Sequence, residues 1–286
     1  MLPTGRRIAY DVYGDPAGTP CFYFHGWPSS RLQGSLMHEV GLEFGLCIVA
    51  MDRPGIGQSD YQPLRCLLDW PPVIQALADH LGWEKFHLIG VSGGGPYVLV
   101  LAHAMPERVL SAHYVCGAPP LGLFGTHEMF WPYRLVLTLR NWFPWLLSPS
   151  FALARAISRC RPDHVPLRWL MAALSQRDRE ALSDPVTFGI IAESLRECLL
   201  SGVPSVQADG DIYMDDWGFD LQQIRIPVHV WHGEQDRNIP WSYAKRVAAL
   251  LPAAITHWCP GEGHYSLAVF QVREIAKATL NQRVSC

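Results

Sequence analysis

Three residues of this chain have the types and settings for nucleophilic acyl chemistry: Ser92, Asp236 and His264. Ser92 is the centre of Gly90-Val91-Ser92-Gly93-Gly94, a G-x-S-x-G pattern. The pattern alone says little, because small residues cluster by chance. Its setting carries the weight. The apolar run Phe86–Val91 predicts a strand and the segment from Pro96 predicts a helix, so the serine falls on a strand-to-helix turn. Side chains at Gly90 and Gly94 would collide across so tight a turn. The central residue is strained there, and its hydroxyl projects at the positive end of the following helix. A phosphate-cradling loop would need G-K-[ST], or G-x-G-x-x-G after the first strand, and the chain has neither.

A serine nucleophile needs a base, and twelve histidines compete for that role. Position decides among them. His264 lies in Pro260-Gly261-Glu262-Gly263-His264, between the last expected strand and the last expected helix. Loops at the carboxyl ends of parallel strands face ligands. His80, His87, His103 and His113 fall inside expected elements, where packing or surface roles suit them. His232 also follows a strand, but its run, His232-Gly233-Glu234-Gln235-Asp236, offers the acid instead. Asp236 is the expected partner of His264, with Glu234 its nearest competitor. The loop after the strand ending at Cys116 reads Gly117-Ala118-Pro119-Pro120 and contains no carboxylate.

A tetrahedral intermediate needs two N–H donors aimed at its oxygen. The Gly93 amide, at the helix start, is one candidate. The other comes from His25-Gly26-Trp27-Pro28, where Gly26 permits close approach and Pro28 stiffens the loop without donating. Trp27 N–H is the expected second donor, and His25 a structural hydrogen-bonding residue.

The elements that must position these groups follow from apolar periodicity. Residues 7–13 alternate and end at the turn Gly14-Asp15-Pro16. Continuous apolar runs predict strands at 21–24, Leu46–Met51, Phe86–Val91, 111–116, 226–231 and Ala254–Cys259. Helical stretches lie between them at 32–44, 67–81, 96–104, 243–251 and 265–280. Apolar strands separated by helices mean a parallel sheet covered on both faces. Residues 119–222 interrupt the pattern. Prolines at 132, 144, 149, 162, 166 and 185 divide them into four or five expected helices, rich in Trp (131, 142, 145, 169, 217) and Phe (124, 130, 143, 151, 188). The expected organisation is a core of 1–118 and 223–286 with a helical cap at 119–222.

Composition sets the outer bounds. With 286 residues and 49% hydrophobic content, the chain can bury a substantial core around one insertion. The net charge of -3, with no polybasic run, offers no basic face to nucleic acid or anionic lipid. The eight cysteines are scattered without a C-x-x-C pair, as buried reduced thiols would be. No secretory h-region and no span of about 18 apolar residues is present, so a cytoplasmic protein is expected. There is no H-E-x-x-H or comparable ligand set, so neither metal nor cofactor is expected.

Together, His25-Gly26-Trp27-Pro28, Asp52-Arg53-Pro54-Gly55-Ile56-Gly57-Gln58-Ser59-Asp60, the Ser92 turn, His232-Gly233-Glu234-Gln235-Asp236 and Gly263-His264 resemble the α/β-hydrolase superfamily over nearly the whole length. The order Ser, Asp, His is the order of that superfamily. The resemblance implies an eight-stranded, mostly parallel sheet with a lid after the sixth strand. It implies that the loop from Asp52 to Asp60 is scaffold beside the nucleophile. The His-Gly-x-Pro loop is also similar to epoxide hydrolases and haloalkane dehalogenases, but those carry an aspartate where this chain has Ser92. Tyr133 and Tyr213 are then core or pocket residues. The implied function is a serine esterase acting on a small, largely apolar acyl substrate. Acyl transfer, C–C bond hydrolysis, lyase chemistry and slow-turnover ligand reception are the alternatives, since fold does not fix function.

Overall fold

The computed structural model describes residues 1–2, 4–63, 65–161 and 164–281. Pro162 and Cys286 lie outside them. Seven strands form one sheet: β1 (Tyr10–Gly14), β2 (Thr19–Phe24), β3 (Leu46–Met51), β4 (Phe86–Val91), β5 (Val109–Val115), β6 (Val228–Gly233) and β7 (Ala254–Cys259), in spatial order β1-β3-β2-β4-β5-β6-β7. Only β1 runs antiparallel to its neighbour, pairing with β3 from Tyr10↔Met51 to Gly14↔Cys47. The other pairs are parallel.

Helices cover both faces: α1 (His38–Phe44), α2 (Trp70–Leu81), α3 (Gly95–Ala104), α4 (Leu121–Phe124), α5 (Trp131–Trp142), α6 (Leu147–Ile157), α7 (Val165–Ala172), α8 (Gln176–Ser183), α9 (Pro185–Leu200), α10 (Val203–Asp211), α11 (Trp241–Leu250), α12 (His264–Phe270) and α13 (Val272–Leu280). Their ends follow local chemistry. In α2, prolines open the first turn and Gly82 closes the helix at φ 71°. Trp70, Val73, Ile74, Leu77 and Ala78 form its buried stripe. By contrast, α3 is buried on nearly every side from Gly95 to Ala102, as befits the helix behind Ser92.

Three expectations need correction. The described sheet has seven strands, not eight, and the helical insertion follows the fifth of them. Upstream of β1, the Leu2 and Gly5 amides close a tight turn onto Arg6 O and Leu2 O rather than pairing with an edge. The insertion holds seven described α-helices (α4–α10), not four or five. Proline is tolerated in a first turn, where the N–H is unpaired anyway, so Pro132, Pro166 and Pro185 begin helices there. Residues 265–280 break at Gln271 into α12 and α13.

Candidate active site

All three predicted loops leave the carboxyl rim of the sheet. Ser92 follows β4 directly with φ 53°, a left-handed conformation that a serine adopts only when its surroundings enforce it. The glycines around it enforce it. A Cβ on Gly90 would overlap Gly94 O, and a Cβ on Gly94 would overlap Phe24 O.

The structure brings Ser92, His264 and Asp236 together. His264 Nε2 lies 3.0 Å from Ser92 Oγ, and His264 Nδ1 lies 2.8 Å from Asp236 Oδ2. The carboxylate can only accept, so Nδ1 carries the proton and Nε2 is free to accept from Ser92. Asp236 is oriented in turn by the Asn238 and Ile239 amides, which donate to Oδ1 at 2.8 and 2.9 Å. All three residues are buried. Burial opposes charge on the His264 imidazole, but the facing Asp236 carboxylate outweighs it and raises the histidine pKa well above its ordinary value. The same pairing outweighs burial at Asp236 and lowers its pKa. His232, the other candidate, donates through Nε2 to Ile239 O at 2.8 Å, and burial lowers its pKa.

The two residues expected to donate, Trp27 and Gly93, are close neighbours. A Cβ placed on Gly93 would stand 2.9 Å from Trp27 N, so the two backbones pass with only a glycine's space between them. His25 is buried and its Nδ1 lies 2.8 Å from Gly26 O. Beneath this loop sits a buried ion cluster. Arg53 donates to His25 O at 2.6 Å and Gly26 O at 2.8 Å, and grips Asp209 through Nε and Nη2 at 2.8 and 2.7 Å. Arg65 reaches the same carboxylate at 2.6 Å.

Other residues support the site, and two of them, both carboxylates, carry no sequence signal. Asp209 on α10 is one. Asp178 on α8 accepts from the Tyr265 and Ser266 amides at 2.8 and 2.9 Å, satisfying the first turn of α12 just after His264. Tyr213 donates to Gly93 O at 3.1 Å. Cys116, at φ 38°, directs its thiol to His264 O at 3.5 Å. Among the described residues, Cys116, Asp236 and His264 are the one group close enough to hold a metal ion, within 4.8 Å. Two of these three already bond one another.

An apolar pocket opens over Ser92 and Gly93, walled by Trp27, Leu121, Tyr133, Phe151, Tyr213 and Ile239. Its charged feature is an ion pair, Arg140 Nε to Asp211 Oδ1 at 2.5 Å. Of the ten Trp and Phe residues named in the insertion, Phe151 alone lines this pocket. Trp217 is buried against Phe219, and Trp131, Trp142, Trp145 and Trp169 face outward.

The family model for the alpha/beta hydrolase family matches residues 22–278. The chain belongs to the alpha/beta hydrolase family. Its curated relatives within reach of sequence include a non-heme chloroperoxidase of Streptomyces lividans, 27% identical over 88% of this chain and 87% of that protein. Another is the dihydrolipoyllysine-residue acetyltransferase component of an acetoin cleaving system in Pseudomonas putida. It is 34% identical over 85% of this chain, which spans 58% of that protein. Among solved structures, the esterase RhEst1 of Rhodococcus sp. ECU1013 superposes with TM-score 0.68 at 21% identity, covering 98% of both chains, which speaks for the alpha/beta hydrolase fold. No described helix is long and apolar enough to cross a membrane. Of the seven described cysteines, none paired, Cys21, Cys47, Cys116 and Cys198 are buried while Cys66 is exposed.

Proposed function

We propose that this alpha/beta hydrolase is a serine esterase that cleaves a carboxylic ester, or a similar acyl bond, of a small and largely apolar substrate. The observation that carries the reading is the unbroken chain from Ser92 Oγ through His264 to Asp236 at the floor of an apolar pocket. Ser92 Oγ attacks the acyl carbon while its proton passes to His264 Nε2. Asp236 holds the imidazole in the accepting tautomer and stabilises the imidazolium that forms. The carbonyl oxygen, now negative, accepts hydrogen bonds from the Trp27 and Gly93 amides. His264 then protonates the departing alkoxide, leaving the acyl group on Ser92. A water deprotonated by His264 releases it as the acid.

In this reading, residues 119–222 are a cap on a core of 1–118 and 223–286. Helices α5, α6 and α10 supply pocket walls from that cap. The apolar lining suits an alkyl or aryl acyl group.

Turnover of p-nitrophenyl acetate by the wild type, abolished in Ser92→Ala without loss of the fold, is the expected result. A fluorophosphonate should add to Ser92, located by mass spectrometry of the labelled peptide. Unchanged turnover in Ser92→Ala, or labelling at another residue, overturns the reading.

A further inference from the structure

The turn between α5 and α6 exposes apolar side chains that a folded chain ordinarily buries. Trp142 is 73% exposed and Trp145 68% exposed, with Phe143 and Leu146 partly exposed between and after them. Isolated apolar residues on a surface are unremarkable, but four large ones within residues 142–146 make a patch that calls for a partner. The rings are ordered against each other, Phe143 meeting Trp145 edge to face at 5.6 Å between centroids. Farther along the insertion, Trp169 on α7 is 72% exposed and Val165 is exposed as well.

The charge of this region differs from that of the chain. Residues 131–172 hold six of the chain's 23 basic residues, all arginine, and one of its 26 carboxylates, Asp163. The overall charge of -3 therefore conceals a basic, tryptophan-rich segment. Arg134, Arg159 and Arg168 of this segment are exposed.

We infer that the α5–α6 turn docks the protein on an anionic phospholipid surface. Tryptophan, with an apolar body and one N–H donor, suits the boundary between headgroups and acyl chains. The arginine excess of residues 131–172 complements anionic headgroups. The tip is a turn at the end of two helices, a shape that enters a fluid interface readily. A two-fold contact with a second copy would set this arginine-rich segment against itself, and like charges repel.

The surface adjoins the pocket. One stripe of α5, Tyr133, Val136, Leu137 and Arg140, lines the pocket above Ser92, while Trp131, Leu135 and Trp142 on the same helix are exposed. A lipid-dissolved ester would then need to pass only one helix to reach the serine. That the bilayer carries the substrate rests on the esterase reading; the docking itself does not.

The full chain is co-sedimented with vesicles of phosphatidylglycerol and phosphatidylcholine, and with phosphatidylcholine alone, at low and high salt. Binding to the anionic vesicles is expected, at least tenfold weaker on the neutral ones or in high salt. The double variant Trp142→Ser, Trp145→Ser should lose vesicle affinity at least tenfold. It should keep its melting temperature and its kcat on a water-soluble p-nitrophenyl ester. Three results overturn the inference: no binding to anionic vesicles, equal binding by wild type and variant, or a concentration-dependent dimer in sedimentation that the two substitutions dissolve. Absence of ester turnover by the wild type would instead remove the esterase reading and leave the vesicle result standing.

Discussion

Arg53 donates through Nη2 to the carbonyl oxygen of Gly26 at 2.8 Å, and this bond sets the direction of the next amide. The Gly26–Trp27 peptide is trans, so its C=O and N–H point to opposite sides of one plane. With the carbonyl held by Arg53 and by His25 Nδ1, the Trp27 N–H points to the opposite side, and Trp27 N lies beside Gly93. Asp209 holds Arg53 in place from α10, and burial at Asp209 is outweighed by Arg53 and Arg65, which keep its carboxyl below the ordinary range.

Asp209→Asn should therefore weaken the proposed oxyanion donor as well as the fold. Losing one such donor outright costs about 10²–10³ in kcat. A loosened donor should cost kcat about tenfold to a hundredfold with KM changed little. Two buried guanidinium groups left uncompensated should also lower stability by about 3–5 kcal/mol. Arg53→Lys tests the same link by another route, because one ammonium cannot reproduce the forked contacts to two carbonyls. Glu197→Gln is the comparison: it removes another contact between insertion and core, the 2.7 Å pair with Arg31, away from the Trp27 amide. It should leave kcat unchanged. Steady-state kinetics on a p-nitrophenyl ester decide, and a normal kcat in both Asp209→Asn and Arg53→Lys would refute the link.

Gly93→Ala should be nearly inactive while folded. The added methyl would overlap the Tyr213 hydroxyl and stand 2.8 Å from Trp27 Cβ and 2.9 Å from Trp27 N, in the space assigned to the oxyanion. A fall in kcat of at least about 10² is expected, with the fold kept but stability lowered by about 1–3 kcal/mol through the overlap. Full activity would move the oxyanion position elsewhere.

Much of this site was legible because glycine and proline punctuation marks where strands stop. Gly90, Gly93 and Gly94 announced the turn at Ser92, and Gly261 and Gly263 announced the loop before His264. Asp209 and Asp178 were not legible. Each is one carboxylate on a polar helix of the insertion, and only tertiary packing pairs it with Arg53 or with the start of α12. The placement of the insertion's aromatic residues was not legible for a related reason. Helical spacing tells which side chains share a face, but not whether that face meets the pocket or the solvent, so Trp142 and Trp169 look no different in sequence from the pocket-lining Phe151.

A stack of histidines on the sheet should make the fold acid-sensitive. His113 stacks on His229 at 4.6 Å and His229 on His257 at 5.2 Å, while Ser111 bridges His87 and His113 at 2.8 and 3.0 Å. Burial lowers His87 and His229 to about 4, and lowers His113 well below its ordinary value. In the unfolded chain these groups titrate near 6.5. Between about 6.5 and 4 the unfolded state thus binds more protons, and stability present above that window is lost as pH falls through it. The urea midpoint should drop between pH 7 and pH 5, and drop less in His229→Gln. Equal midpoints at both pH values would remove the stack as the cause.

The same reasoning, with the sign reversed, applies to His264. Its pKa is raised: burial opposes the imidazolium, and Asp236 at 2.8 Å outweighs burial. A general base acts only when neutral. Activity should therefore rise with pH along a limb lying above 6.5, the ordinary histidine value. Asp236→Asn removes the charge that stabilises the imidazolium and leaves burial unopposed, so the limb should move to lower pH. Its kcat should still fall strongly, by about 10⁴ as in related triads, because the amide can present its N–H to Nδ1 and hold the wrong tautomer. Profiles of kcat/KM against pH for the two proteins measure both effects. A limb that stays in place in Asp236→Asn would mean that another group sets it.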